Sequence, residues 1–140
     1  MGRVVTSVVP IAALRARLDD TSWGPWSMKS GVLYAHAPAW ALRTVIALRV
    51  HLDDSDATNG PLRVLPGTHT RGVLSDAEIE RVAHDVIAVE CIAASGGVVA
   101  MRPLTVHASS KATDGNPRRV LHVEYVAAVG LGPGNELAVD

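Results

Sequence analysis

From Thr44 to Ala127 the sequence is cut into short apolar, β-branched runs by turn signals, and that rhythm leaves room for only one short helix. The clearest run, Thr44 to Leu52, alternates. Val45, Ala47, Arg49 and His51 fall on one face, and Ile46, Leu48, Val50 and Leu52 on the other. The turn segment Asp53 to Gly60 ends in an Asn-Gly pair, which tolerates positive φ. Pro61 to Leu65 reads as the returning strand, closed by Pro66-Gly67. Ser75-Asp-Ala-Glu78 is a capping box that opens a helix to about His84, ending before Val86. Val86–Ala93, Val98–Arg102 and Leu104–Ser109 follow as strands, the first two parted by Gly96-Gly97. A polar turn from Lys111 to Pro117 leads into a last strand, Arg118–Ala127. Six strands and one small helix predict a mainly β chain, an antiparallel sandwich or jelly roll, although a complete jelly roll has eight strands.

The 140 residues are expected to form a single domain, with a helix-like piece at Ile11–Leu18, a Gly/Pro/Trp-rich loop from Trp23 to Pro38, and a frayed tail from Gly130. Apolar residues make up 48% and charged ones 19%, which excludes a disordered chain, and the absence of Phe beside abundant Val favours strands. A net charge of −1 with interspersed signs gives no footprint for nucleic acid or an anionic membrane. No stretch is long and apolar enough for a secretory signal or a bilayer span. The lone Cys91 excludes an internal disulfide and fits a reducing, cytoplasmic setting.

Thr105-Val-His-Ala-Ser109 carries the chemistry. On a strand Thr105, His107 and Ser109 point one way while Val106 and Ala108 point the other. Eleven positions after His107, Arg118 begins a strand that the turn can bring back antiparallel to the first. An imidazole suited to a metal and a guanidinium suited to a carboxylate would then lie near each other on adjacent strands, both directed inward.

Several ordered motifs surround this pair. Asn59-Gly-Pro-Leu-Arg-Val-Leu-Pro-Gly-Thr-His69 is followed by Gly96-Gly-Val-Val-Ala-Met101, then by His107 and Arg118. The segment Trp23-Gly-Pro-Trp-Ser-Met-Lys-Ser-Gly31 and the pair Asp53-Asp54 belong to the same pattern. From about Ile11 to Ala127 the chain resembles the C-terminal portion of the phytanoyl-CoA dioxygenase family, non-haem oxygenases dependent on Fe(II) and 2-oxoglutarate. The resemblance implies a cupin-like double-stranded β-helix with one or two short helices. It implies Fe(II) held by two histidines and a carboxylate, 2-oxoglutarate as co-substrate, and oxidation of a C–H bond in a small organic substrate. Carried over residue by residue, His107 is the distal iron ligand, Arg118 pairs with the far carboxylate of 2-oxoglutarate, and Ser109 is a hydroxyl partner of that carboxylate.

The pattern breaks upstream. The family's other two ligands form a His-x-Asp motif just ahead of a segment like Ile11–Arg17, and here that place is taken by Thr6-Ser-Val8. A Thr and a Val replace neither an imidazole nor a carboxylate. The resemblance therefore implies a jelly roll incomplete at its N-terminus, with little or no turnover, and such a fold, short of its first strands, is expected to self-associate. His51-Leu-Asp53 repeats the His-x-Asp spacing, 56 residues before His107, but it belongs to the strand and turn that follow the metal motif, with Asp53 capping the turn. His36, His69 and His84 read as loop, cavity mouth and helix end, and His122 shares the face of Arg118. Trp23, Trp26 and Trp40 cover either a substrate or the hydrophobic edge of the sheet. Three readings follow: a shortened oxygenase, a non-catalytic jelly-roll module that binds a ligand or partner, and an oxygenase whose triad is His51, Asp53 and His107.

Overall fold

A computed structural model of the chain describes residues 8–11, 22–30, 32–112, 115 and 117–126. Its strands are β1 (Val8–Ile11), β2 (Trp26–Lys29), β3 (Val32–His36), β4 (Val45–His51), β5 (Leu62–Val64), β6 (Val89–Cys91), β7 (Val98–Met101), β8 (His107–Ser109) and β9 (Val120–Val126). Helix α1 spans Ala39–Leu42, helix α2 spans Asp76–Asp85, and a 3-10 turn covers Thr68–Arg71. Two antiparallel sheets carry the architecture, in the orders β7-β4-β9 and β6-β5-β8. Apart from the pair β5 and β6, each strand from β4 onward is followed by one in the other sheet, which is the winding of a jelly roll. Ser55, after β4, and Ala93, after β6, stitch the sheets together with reciprocal backbone bonds of 2.7 and 3.0 Å.

The third sheet, β1-β3-β2, corrects one expectation. The segment from Trp23 to Pro38 contains the β2–β3 hairpin rather than a loop. Its Gly24 and Pro25 precede β2 and its Pro38 follows β3, so they punctuate the hairpin instead of interrupting it. Ile11 lies in β1, and the remainder of the helix-like piece, Ala127 and the tail lie outside the described residues.

Three strands are also shorter than their apolar runs. Val86 closes α2 by donating to the Val82 carbonyl, and Ile87 is 87% exposed, so pairing starts only at Val89. Thr105 N donates to Arg102 O in a turn at 2.9 Å, which delays β8 until His107. Arg118 stands ahead of β9 rather than in it, and β9 lies in the opposite sheet from β8. His107 and Arg118 are therefore not on adjacent strands: His107 lies in the sheet of β5 and Arg118 at the start of the strand that pairs with β4. The helix agrees with its sequence: Ser75 and Glu78 bond reciprocally in a capping box, and α2 ends at Asp85.

Helix α1 and the hairpin enclose the apolar core of Trp23, Ala35, Ala37, Ala41 and Leu42, with Trp26, Leu104 and Val126 packed on it. Trp40 meets Trp23 edge-on, centroids 6.0 Å apart, which places two tryptophans in packing roles. The space between the two jelly-roll sheets is more polar. On β4 the buried face is the one with Val45, Ala47, half-buried Arg49 and His51, while Ile46 and Leu52 on the aliphatic face are exposed.

Candidate active site

Register decides which side chains line the space between the sheets. In an antiparallel ladder, directly paired residues share a face. His51 pairs with Val120 and Arg49 with His122, so Arg118, two residues before Val120, falls on the face of Arg49 and His51. In the opposite sheet Leu62 pairs with Cys91 and Ser109, and Val64 with His107. Leu62 is buried while Arg63 points out, so Cys91, His107 and Ser109 lie on the inner side. Cys91 and Arg49, on facing sheets, lie near enough for each to influence the ionisation of the other.

His107 is half-buried, and its Nδ1 lies 2.7 Å from the Thr105 carbonyl oxygen. A carbonyl can only accept, so Nδ1 carries a proton, and in the neutral ring the lone pair is on Nε2. That orientation suits a metal-ligating histidine, whose other nitrogen donates to a backbone carbonyl. The strand bearing His107 is fixed by Thr68, whose Oγ1 donates to Leu65 O at 2.8 Å and accepts from Val106 N at 2.9 Å. The Pro-Gly-Thr motif therefore has a mechanical role, with Gly67 at φ 80° turning the chain so that Thr68 reaches β8. Buried Asn59 ties the preceding loop to itself through Asp56 N and Asp54 O. Gly60, at φ 71°, has no space for a Cβ because the Ser110 carbonyl stands against it, one residue beyond Ser109. Ser109 itself is exposed, at the rim of the site.

Arg118 is half-buried, and among the described residues its buried Nη1 has no hydrogen-bond partner. The same holds for Arg49 Nε and for both ring nitrogens of His51, a side chain with 0% exposure. Burial, then Arg49, then Arg118 push the His51 imidazole below its ordinary value, so it is neutral. Burial and then Arg118 also push Arg49 down, although a guanidinium remains a cation. Burial raises the Cys91 thiol, which keeps it protonated. The structure thus brings Arg118 to Arg49 and His51. No hydrogen bond or ion pair joins Arg118 to His107 or Ser109 among the described residues. Arg49 was assigned no role from sequence, and its signal was the Arg-Val-His alternation in the middle of an apolar run.

Asp53 does not cap the turn. It accepts from Arg119 Nε at 2.9 Å, Nη2 at 2.7 Å and backbone N at 2.7 Å, and these bonds hold its carboxyl down at about 2. Asp56 and Asn59 secure the turn instead. With both oxygens of Asp53 engaged and His51 set between two guanidiniums, His51 and Asp53 are poorly suited to a cation. Among the described residues no group of three His, Cys, Asp or Glu side chains is placed to hold a metal, and residues 6–7 lie outside them. His122 faces Glu124 at 3.4 Å.

The family model for phytanoyl-CoA dioxygenase matches residues 19–120, most of the chain, with Arg49, His51, His107, Ser109 and Arg118 inside the match. The chain belongs to the phytanoyl-CoA dioxygenase family. It is 26% identical over 133 residues to L-proline trans-4-hydroxylase of Streptomyces griseoviridis, covering 76% of this chain and 49% of that protein. The chain therefore spans about half the length of this curated relative. Among solved structures it is similar to AviO1 from Streptomyces viridochromogenes Tue57, with TM-score 0.56 and 26% identity, over 95% of this chain and 49% of that one. It is also similar to EctD from S. alaskensis with bound Fe, with TM-score 0.55 and 25% identity, over 61% of this chain and 32% of that one. Among the described residues no helix of this family member is long and apolar enough to cross a membrane.

Proposed function

We propose that this chain provides the distal metal ligand and the co-substrate anchor of a non-haem Fe(II)/2-oxoglutarate-dependent dioxygenase that hydroxylates a small organic substrate. The observation that carries the reading is the His107 ring, whose Nδ1 bonds the Thr105 carbonyl and so leaves Nε2 free for a metal, on the strand face that β5 pairing assigns to the inner side. Across the gap, the buried Nη1 of Arg118 is a donor suited to the distal carboxylate of 2-oxoglutarate, and Ser109 offers a hydroxyl at the rim. The described residues fit the co-substrate. For iron they supply one ligand, His107, which falls short of the two histidines and a carboxylate that such a centre uses. Bound Fe(II) would supply the activation of dioxygen, the oxidant, with 2-oxoglutarate as the co-reductant that is decarboxylated to succinate, while the protein binds the dicarboxylate and fixes its orientation. The L-proline hydroxylase similarity supports a small, polar organic substrate.

Restoring the motif tests the proposal. The unmodified chain should bind almost no iron and form almost no succinate. A form with Thr6→His and Val8→Asp, carrying a family-like region ahead of them, should gain both, and His107→Ala in that background should abolish both. Arg118→Ala there should chiefly weaken 2-oxoglutarate affinity, about ten- to a hundredfold, the usual effect of losing a charged hydrogen-bond partner. Iron bound equally well after His107→Ala would refute the ligand assignment. Iron bound by the unmodified chain and lost on His51→Ala would favour the relocated triad. Dicarboxylate binding with no iron uptake by any variant would favour a non-catalytic module.

A further inference from the structure

We propose that Arg49 is a second anion-binding residue of this cavity, gripping the same distal carboxylate as Arg118, with His51 donating a hydrogen bond to it. The inference rests on the 2-oxoglutarate reading above and adds two residues of β4 that the family resemblance did not bring forward.

The first support is placement. Arg49 and Arg118 are far apart in sequence, and the β4–β9 register brings them to one face, with His51 beside both. The second is the lack, among the described residues, of a protein anion to answer them. Asp53 is engaged by Arg119, and Glu124 is turned to His122. Cys91, the acidic group opposite Arg49, stays a neutral thiol because it is buried. The third is the set of buried donors. Arg49 Nε, Arg118 Nη1 and the two His51 nitrogens have no partner among the described residues. Buried polar atoms in folded proteins are almost always bonded, and buried charges are paired. Two cations and a neutral imidazole around one space are completed by an anion with several acceptor lone pairs. A carboxylate has two oxygens and about four such sites, enough for both guanidiniums and one imidazole N–H.

The arrangement carries a specificity consequence. A 2-oxo acid with a distal carboxylate satisfies the pair, whereas one ending in a methyl group leaves the buried Arg49 Nε and Arg118 Nη1 without an acceptor. The cavity should therefore select dicarboxylates more strongly than a site with one arginine.

Titration calorimetry on the metal-free full chain tests this with 2-oxoglutarate and 2-oxovalerate, which lacks the distal carboxylate. The expected result is measurable 2-oxoglutarate binding, at least about tenfold stronger than 2-oxovalerate binding. Arg49→Gln should weaken 2-oxoglutarate about ten- to a hundredfold and narrow that discrimination, with Arg49→Lys between the two. Because both arginines serve one carboxylate, the losses in Arg49→Gln and Arg118→Gln should not add in the double variant. Unchanged affinity in Arg49→Gln, with affinity lost in Arg118→Gln, would overturn the role of Arg49 and leave the co-substrate site standing. No 2-oxoglutarate binding by the unmodified chain would overturn both. A readout on the unsubstituted protein covers the case of a misfolded variant. Since Cys91 lies beside Arg49, 2-oxoglutarate should slow its alkylation by iodoacetamide while 2-oxovalerate should not. Equal alkylation rates with and without 2-oxoglutarate would overturn the proposal.

Discussion

At the scale of single residues, one ion pair ties β4 to β9. Asp53 receives three hydrogen bonds from Arg119, and the pair locks the end of β4 to the start of β9, beside Arg118. Its carboxyl sits at about 2, below the 3.8 of an unperturbed aspartate. A depressed carboxyl contributes stability above its unfolded pKa and loses it as pH falls through the folded one. The Asp53 contribution should therefore be complete above about pH 4 and vanish near pH 2. Thermal unfolding of the native chain and of Asp53→Asn, followed from pH 6 to pH 2, measures it. The two melting curves should converge as the pH drops through that window, and a constant gap would contradict the assignment. Residues of this kind were partly legible in the sequence. His107 and Arg118 stood out by spacing and by the polar face around His107. Arg49 did not, because alternation divides β4 into two faces without saying which is inside, and here the face with Arg49 and His51 is the buried one.

At the scale of elements, local signals were reliable and partner-dependent ones were not. The Ser75–Glu78 box acts within a single turn, so sequence alone located the start of α2. The lengths of β6 and β8 depend on β5, a three-residue strand that pairs with both, and no local signal encodes that limit. The β2–β3 hairpin was hidden because its Gly and Pro lie at its ends and resemble a loop. Thr68 links the two levels. It sits in the Pro-Gly-Thr turn after β5 and bonds Val106 N, one residue ahead of β8. Thr68→Val keeps the shape and removes the hydroxyl, leaving a partly buried amide without its acceptor. The expected cost is about 1–3 kcal/mol in denaturant unfolding. It should be accompanied by faster hydrogen exchange at Val106, and exchange unchanged there would show that Thr68 does not fix β8.

At the scale of the whole molecule, two layers are built on different physics. The hairpin and α1 gather the tryptophan-rich core, which provides apolar burial. The jelly-roll sheets carry cations, an imidazole and a thiol on their inner faces, and the cations are suited to an anion. Donors of Arg49, His51 and Arg118 left without partners among the described residues are the observation that supports a ligand in that interior. Family membership and the winding of the sheets were legible from ordered motifs and strand rhythm. The cationic floor was not, because it arises only when β4 and β9 pair. The most direct measurement is a crystal structure of this chain grown with 2-oxoglutarate. The account predicts one co-substrate molecule between the two sheets, its distal carboxylate on the guanidiniums of Arg118 and Arg49 and its 2-oxo end toward His107 Nε2. A cavity with Arg49 and Arg118 turned outward, or the dicarboxylate bound elsewhere on the surface, would contradict it.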